Sequence, residues 1–147
     1  MSALAIAAFV ALTAIAAIHV LWGLGLRWPA QDERSLIAMV VGATGRTRMP
    51  TLSACLAAAG AIFVAGLVPL VLANILPVAV PSALVTAVGA LTAAIFGARG
   101  CAAYTSGWRR RFSQQPFANL DRNWYGPLCL VLAAIMMLLV IRRVLGL

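Results

Sequence analysis

The chain has 147 residues, 64% hydrophobic and 10% charged, with a mean hydropathy of +1.03. Soluble domains carry roughly a quarter of charged residues, so water could not solvate this surface, and the composition points to an integral membrane protein folded as one domain, 1–147. The formal net charge is +8, from eleven basic residues against three acids; the charges flank apolar segments and line no soluble face, which excludes nucleic acid and favours anionic lipid headgroups as partners.

A span needs about 20 apolar residues. The first runs from Ala3 to Leu26. It lacks a basic leader and is too long for a signal-peptide core, so it reads as a retained span. It holds the single histidine, His19, about 10 Å below the end at Leu26. Trp22 follows His19 at i+3, on the same helix face. Loop one, residues 27–49, contains "DERSLIAMVVGATGRTRMP". Asp32 and Glu33 suit a helix N-terminus, and the apolar segment Leu36–Val41 should dip into the interface or cap the bundle. The two glycines and two arginines of "GATGRTRMP" lack a Walker A lysine and a preceding strand, so nucleotide binding is not inferred.

The second span, 51–72, starts after Pro50, which is tolerated in a first helical turn. Pro69 should kink or fray its end. Asn74, Pro77 and Pro81 make a short link to the third span, 78–104. Gly89, Ala93 and Gly97 recur there every four residues, which suits close helix approach. Loop three, 105–123, carries the basic–aromatic "WRRRF" at Trp108–Phe112, and Arg109, Arg110 and Arg111 are expected near anionic headgroups. The fourth span, 124–141, is extended by Arg142 and Arg143, which can snorkel.

The fold class is therefore all-α, an integral membrane four-helix bundle with two longer polar loops on one side. Nine arginines lie on the loop side and two on the other. The positive-inside rule puts loops 27–49 and 105–123 in the cytoplasm and both termini outside.

The acids, the histidine, the cysteines, the tryptophans and the tyrosines all fall at the loop end. Trp22, Trp28, Trp108, Trp124 and Tyr125 read either as interfacial anchors or as pocket walls. His19 at its depth requires a partner. Asp121 is the first candidate, because it adjoins the start of span four, and Tyr104 is the second. The readings of His19 are a helix–helix hydrogen bond, a ligand-facing or proton-handling group, and a metal ligand. Cys55, Cys101 and Cys129 lie at a depth similar to His19, but each is on a separate span with no ligand spacing, so no metal is assigned.

The chain resembles a family of small four-span bacterial membrane proteins catalogued as domain of unknown function 3995. The stretches that carry the resemblance are "IHVLWGLGLRWP" (Ile18–Pro29), "DERSLIAMVVG" (Asp32–Gly42), "RMP" (Arg48–Pro50) and "FANLDRNWYGPLCL" (Phe117–Leu130). The resemblance covers essentially the whole chain. It implies the four-span fold and a bacterial inner (plasma) membrane, and no activity.

Three function classes remain. The first is a binding or transport-related protein, in which His19, Trp22, Arg99, Tyr104, Asp121 and Tyr125 line a loop-side pocket for a small amphipathic or anionic-headed molecule. The second is an accessory or assembly subunit that docks on a membrane protein partner or on its own copies. The third is an intramembrane enzyme in which His19 and Asp121 transfer protons; no nucleophile, metal or cofactor motif accompanies them, and the sequence identifies no cofactor. A channel is disfavoured, because no span carries a polar stripe along its length.

Overall fold

In the computed structural model, residues 1–43 and 45–146 are described. Among them there is no strand, and four helices are long and apolar enough to cross a membrane. They are α1 (Ser2–Gly23), α3 (Leu52–Leu72), α4 (Ser82–Ala102) and α7 (Gly126–Leu145). A short α2 (Glu33–Val40) lies in the first loop. Two further turns, α5 (Ser106–Arg111) and α6 (Phe117–Leu120), lie in the second. A π-helical turn, Asp121–Tyr125, joins α6 to α7 without a break.

The long helices are apolar on all sides. Only 22–28% of each spanning window is buried inside the protein. The remaining faces show Val10, Val64, Leu91, Ile95, Val131 and Ile141 outward, so the bundle needs lipid around it. The threonine hydroxyls of α4 are satisfied within the helix, since Thr86 donates to the Ser82 carbonyl at 2.9 Å and Thr92 to the Val88 carbonyl at 2.7 Å. These helices make the molecule a four-helix membrane protein.

The bundle is built as two tight pairs. α1 packs most extensively against α3, and α4 against α7, while the seam between the pairs is narrower. Leu12, Ala8, Ala93, Leu132 and Met136 form one buried cluster across that seam. Ala5, Leu72, Val85, Leu139 and Val140 form a second nearer the opposite end. The expected small-residue stripe on α4 faces inward: Gly89 and Ala93 are buried. Gly89 sits where a Cβ would come within 2.8 Å of the Val140 side chain.

The approach of α4 and α7 is also tight at the loop end. A Cβ on Gly126 would lie 2.9 Å from the Cβ of Ala103. Pro127 follows at once. It has no N–H, and its ring would clash with the Asn123 carbonyl in an α-helical turn. The wider π turn relieves that clash, with the Gly126 N–H bonded to the Asp121 carbonyl. Such π turns recur at functional sites.

Pro69 stays inside α3. The helix ends at Ala73, and Asn74 adopts the left-handed φ of 56° that stops it. From the other pair, Arg143 reaches across to the Val71 carbonyl at 3.3 Å, which also accepts the Asn74 N–H, and to the Asn74 side chain at 2.9 Å.

Candidate ligand site

Loop one folds as an amphipathic cap. Asp32 accepts a 2.7 Å hydrogen bond from the Ser35 N–H and so caps α2. The Ser35 N–H holds the Asp32 carboxyl below its ordinary pKa of 3.8. Glu33 reaches across the loop to the Met49 N–H at 3.1 Å. Leu36 and Ile37 turn inward and are buried. The apolar run thus covers the end of the bundle, one of the two placements its composition suggested.

Loop three meets that cap through aromatic rings. Trp108, Phe112, Phe117 and Tyr125 follow one another at centroid distances of 4.3, 6.1 and 5.9 Å. The Tyr125 hydroxyl then donates to the Met39 carbonyl of α2 at 3.3 Å. Gly42, at a φ of +68°, leaves room for the Phe117 ring, which would stand 2.1 Å from any Cβ there. Arg109, Arg110 and Arg111 of "WRRRF" are exposed, with the Arg111 guanidinium 5.9 Å from the Phe112 ring centroid, while Trp108 turns inward.

Beneath this roof, between the two helix pairs, lies a cavity of about 460 Å³. Its deeper wall is aliphatic, with Leu12, Ile15, Ile62 and Leu132. Its loop-side wall is aromatic and polar, with His19, Trp22, Trp28, Arg99, Phe117 and Tyr125. The gradient follows from the helix geometry. Side chains near a helix centre in the bundle are apolar, and those near its loop end sit at the interface, where amphipathic residues are stable.

The buried acid has a different partner from the one its position suggested. Asp121, only 3% exposed, forms an ion pair with Arg99 through Oδ1. Its Oδ2 accepts from the Trp108 indole N–H at 2.9 Å. The Arg99 guanidinium in turn lies 4.8 Å from the Trp108 ring centroid. Acid, cation and indole form a closed triad tying α4, α5 and the π turn. Arg99 Nη1 is buried without a partner among the described residues.

His19 is held separately. Its Nδ1 donates to the Ile15 carbonyl one turn back, at 2.8 Å, and its ring lies 5.0 Å from that of Trp22. Trp22 donates to the Trp28 carbonyl at 2.8 Å. That bond folds the start of loop one over the helix end. Among the described residues Nε2 has no protein partner, so its edge is free for a ligand on the cavity wall.

Of the six residues the sequence placed in a pocket, His19, Trp22, Arg99 and Tyr125 line the cavity. Asp121 stands behind Arg99. Tyr104 lies outside, 48% exposed, with its hydroxyl donating to the Arg122 carbonyl at 3.0 Å. The expected hydrogen bond between His19 and Asp121 is absent, because each is engaged elsewhere. The dyad of a proton-transfer enzyme is therefore not assembled. Sequence reasoning missed Trp108 as the second partner of Asp121, and Phe117, Met39, Val40 and Cys129 as walls. For Phe117 a signal existed: it opens the same "FANLDRNWYGPLCL" stretch as Asp121. Among the described residues no group of three or more His, Cys, Asp or Glu side chains could hold a metal ion.

The fold and the roofed cavity together define a small four-helix membrane protein with a partly open, mostly apolar cavity at one end. The chain belongs to the family described as "Protein of unknown function (DUF3995)", whose model matches residues 12–136. No curated protein and no solved structure matches the chain.

Proposed function

We propose that the protein binds a small amphipathic molecule in this cavity, either as a carrier or as part of a transport step. The observation that carries the reading is the polarity gradient along one partly open cavity. An aliphatic floor at Leu12, Ile62 and Leu132 leads to a roof that presents His19, Arg99 and aromatic rings. Ligand sites are typically clefts of about 300–1,000 Å³ with apolar walls and a few convergent polar groups. The ligand's tail would point to the bundle centre and its head to the loops. Asp121 offsets the charge of Arg99, so a neutral hydrogen-bonding head fits better than a free anion. Trp22 and Phe117 would stack on a flat head. The arginine distribution supports an orientation with the roof on the cytoplasmic side.

The test is native mass spectrometry of the protein released from its own membranes, alongside His19→Ala and Leu132→Phe. A discrete small-molecule adduct on the wild type is expected. Its occupancy should fall about ten-fold in His19→Ala, in line with the ~1.5 kcal/mol of one lost hydrogen bond, and Leu132→Phe should displace it by filling the floor. A bare wild-type mass, or an adduct equal in all three proteins, would sink the reading.

A further inference from the structure

At the opposite end of the bundle a second recess, of about 280 Å³, is lined by Ser2, Ala73, Asn74, Leu139, Arg142 and Arg143, together with Met1 and Leu72. Its walls carry two guanidinium groups, a carboxamide and a hydroxyl. No acidic side chain is near. The three acids of the chain are Asp32, Glu33 and Asp121, and all belong to the loop end, in the α2 cap and the π turn.

The two arginines are adjacent on the last turns of α7 but do different work. Arg143 is pinned: Nη1 donates to the Val71 carbonyl and to Asn74, and its Nε is buried with no partner among the described residues. Arg142 is half-buried and makes no hydrogen bond to the protein among those residues. Backbone carbonyls at the ends of α3 and α7 offset part of this charge, and among the described residues no carboxylate side chain neutralises it. Two guanidinium groups on one polar recess with no acidic side chain beside them suit a tetrahedral oxyanion, because the planar fork of arginine matches phosphate oxygens. The recess lies where spanning helices end, which is the headgroup level of a bilayer.

We propose that this recess is a phosphate site, filled by the phosphodiester of an anionic glycerophospholipid from the leaflet facing the termini. Arg142 supplies the free contact and Arg143 a positioned one. Asn74, fixed by Arg143, sets the rim. The site is independent of the loop-end cavity and takes a ligand of opposite character, charged at its recognised end.

The experiment is native mass spectrometry of protein purified in neutral detergent and titrated with phosphatidylglycerol, with diacylglycerol, or with inorganic phosphate. Wild type should take up one phosphatidylglycerol preferentially over diacylglycerol. Arg142→Gln should weaken this at least ten-fold, and Arg142→Lys should retain part of it. Arg34→Gln, exposed on α2 at the loop end, should leave it unchanged. Because the Arg142 side chain makes no hydrogen bond among the described residues, these variants keep the α3 cap intact, as Arg143→Gln would not. Uptake of inorganic phosphate with the same Arg142 dependence, and no lipid adduct, assigns the site to free phosphate. Equal binding of phosphatidylglycerol and diacylglycerol, or equal binding by wild type and Arg142→Gln, overturns the proposal.

Discussion

Asp121 shows how much one residue can organise in a low-dielectric setting. Its two carboxylate oxygens are taken by Arg99 and the Trp108 indole, so no lone charge is left inside the bundle end. Removing one partner is costly because the other stays buried and unpaired. Asp121→Asn keeps the shape and the indole contact but leaves Arg99 uncompensated. It should destabilise the protein by about 2–3 kcal/mol, below the ~3–5 kcal/mol of fully buried pairs, because 31% of the Arg99 side chain is accessible. Arg99→Gln should cost a similar amount, and the double variant should cost clearly less than the sum. Denaturant unfolding in detergent measures all three. Simple additivity would show that the triad does not act as a unit. The importance of Asp121 was legible in the sequence, since a lone acid beside a span end demands a partner. Which partner it takes was not. Arg99 and Asp121 are 22 positions apart, and only the close passage of Gly126 against Ala103 brings α4 and the π turn together.

Among the elements, α2 is the one whose order depends most on local chemistry. It is eight residues long, too short to hold itself in water, and it depends on three supports. These are the Asp32 cap, the Glu33 bridge to Met49 and the burial of Leu36 and Ile37. The Asp32 carboxyl has a lower pKa folded than unfolded, chiefly through the Ser35 N–H. Its contribution is therefore complete above the unfolded value and lost as pH falls through the folded one. Hydrogen exchange of α2 amides, corrected for intrinsic rate, should speed up several-fold in Asp32→Ala at neutral pH. The wild type should lose the same protection only on acidification below the usual carboxylate range. Asp32→Asn, which can still accept the bond, should stay protected at both pH values. Wild-type protection that persists in strong acid would mean that packing of Leu36 and Ile37, and no cap, holds the helix. The sequence showed this element well, because a capping acid before an apolar run is a local signal. The π turn was not visible, since it answers to Pro127 and to the helix packed beside it.

At the scale of the molecule, the four apolar helices could be read from composition because lipid-facing and core-facing residues are alike in character, so each span is one long apolar run. The same likeness hid the pairing of α1 with α3 and α4 with α7, as helices apolar all round carry no stripe to say which face meets which neighbour. Orientation rests on charge. The arginines of loops one and three serve as topology signals only if they are free of internal roles. Arg99 is bound to Asp121, but Arg27, Arg34, Arg46, Arg48, Arg109, Arg110, Arg111 and Arg122 are all exposed. At the other end Arg143 is engaged with α3, so the imbalance survives the removal of both internal pairs. Loops 27–49 and 105–123 should then face the cytoplasm. Single cysteines in a Cys55→Ala, Cys101→Ser, Cys129→Ala background, which removes all three native thiols, can decide this in right-side-out vesicles with a membrane-impermeant maleimide. Ser82→Cys, exposed at the first residue of α4, should label at once, and Arg110→Cys only after the vesicles are opened. The reverse order would put the roofed cavity on the outer face, and its ligand would then have to be one that reaches the protein from outside the cell.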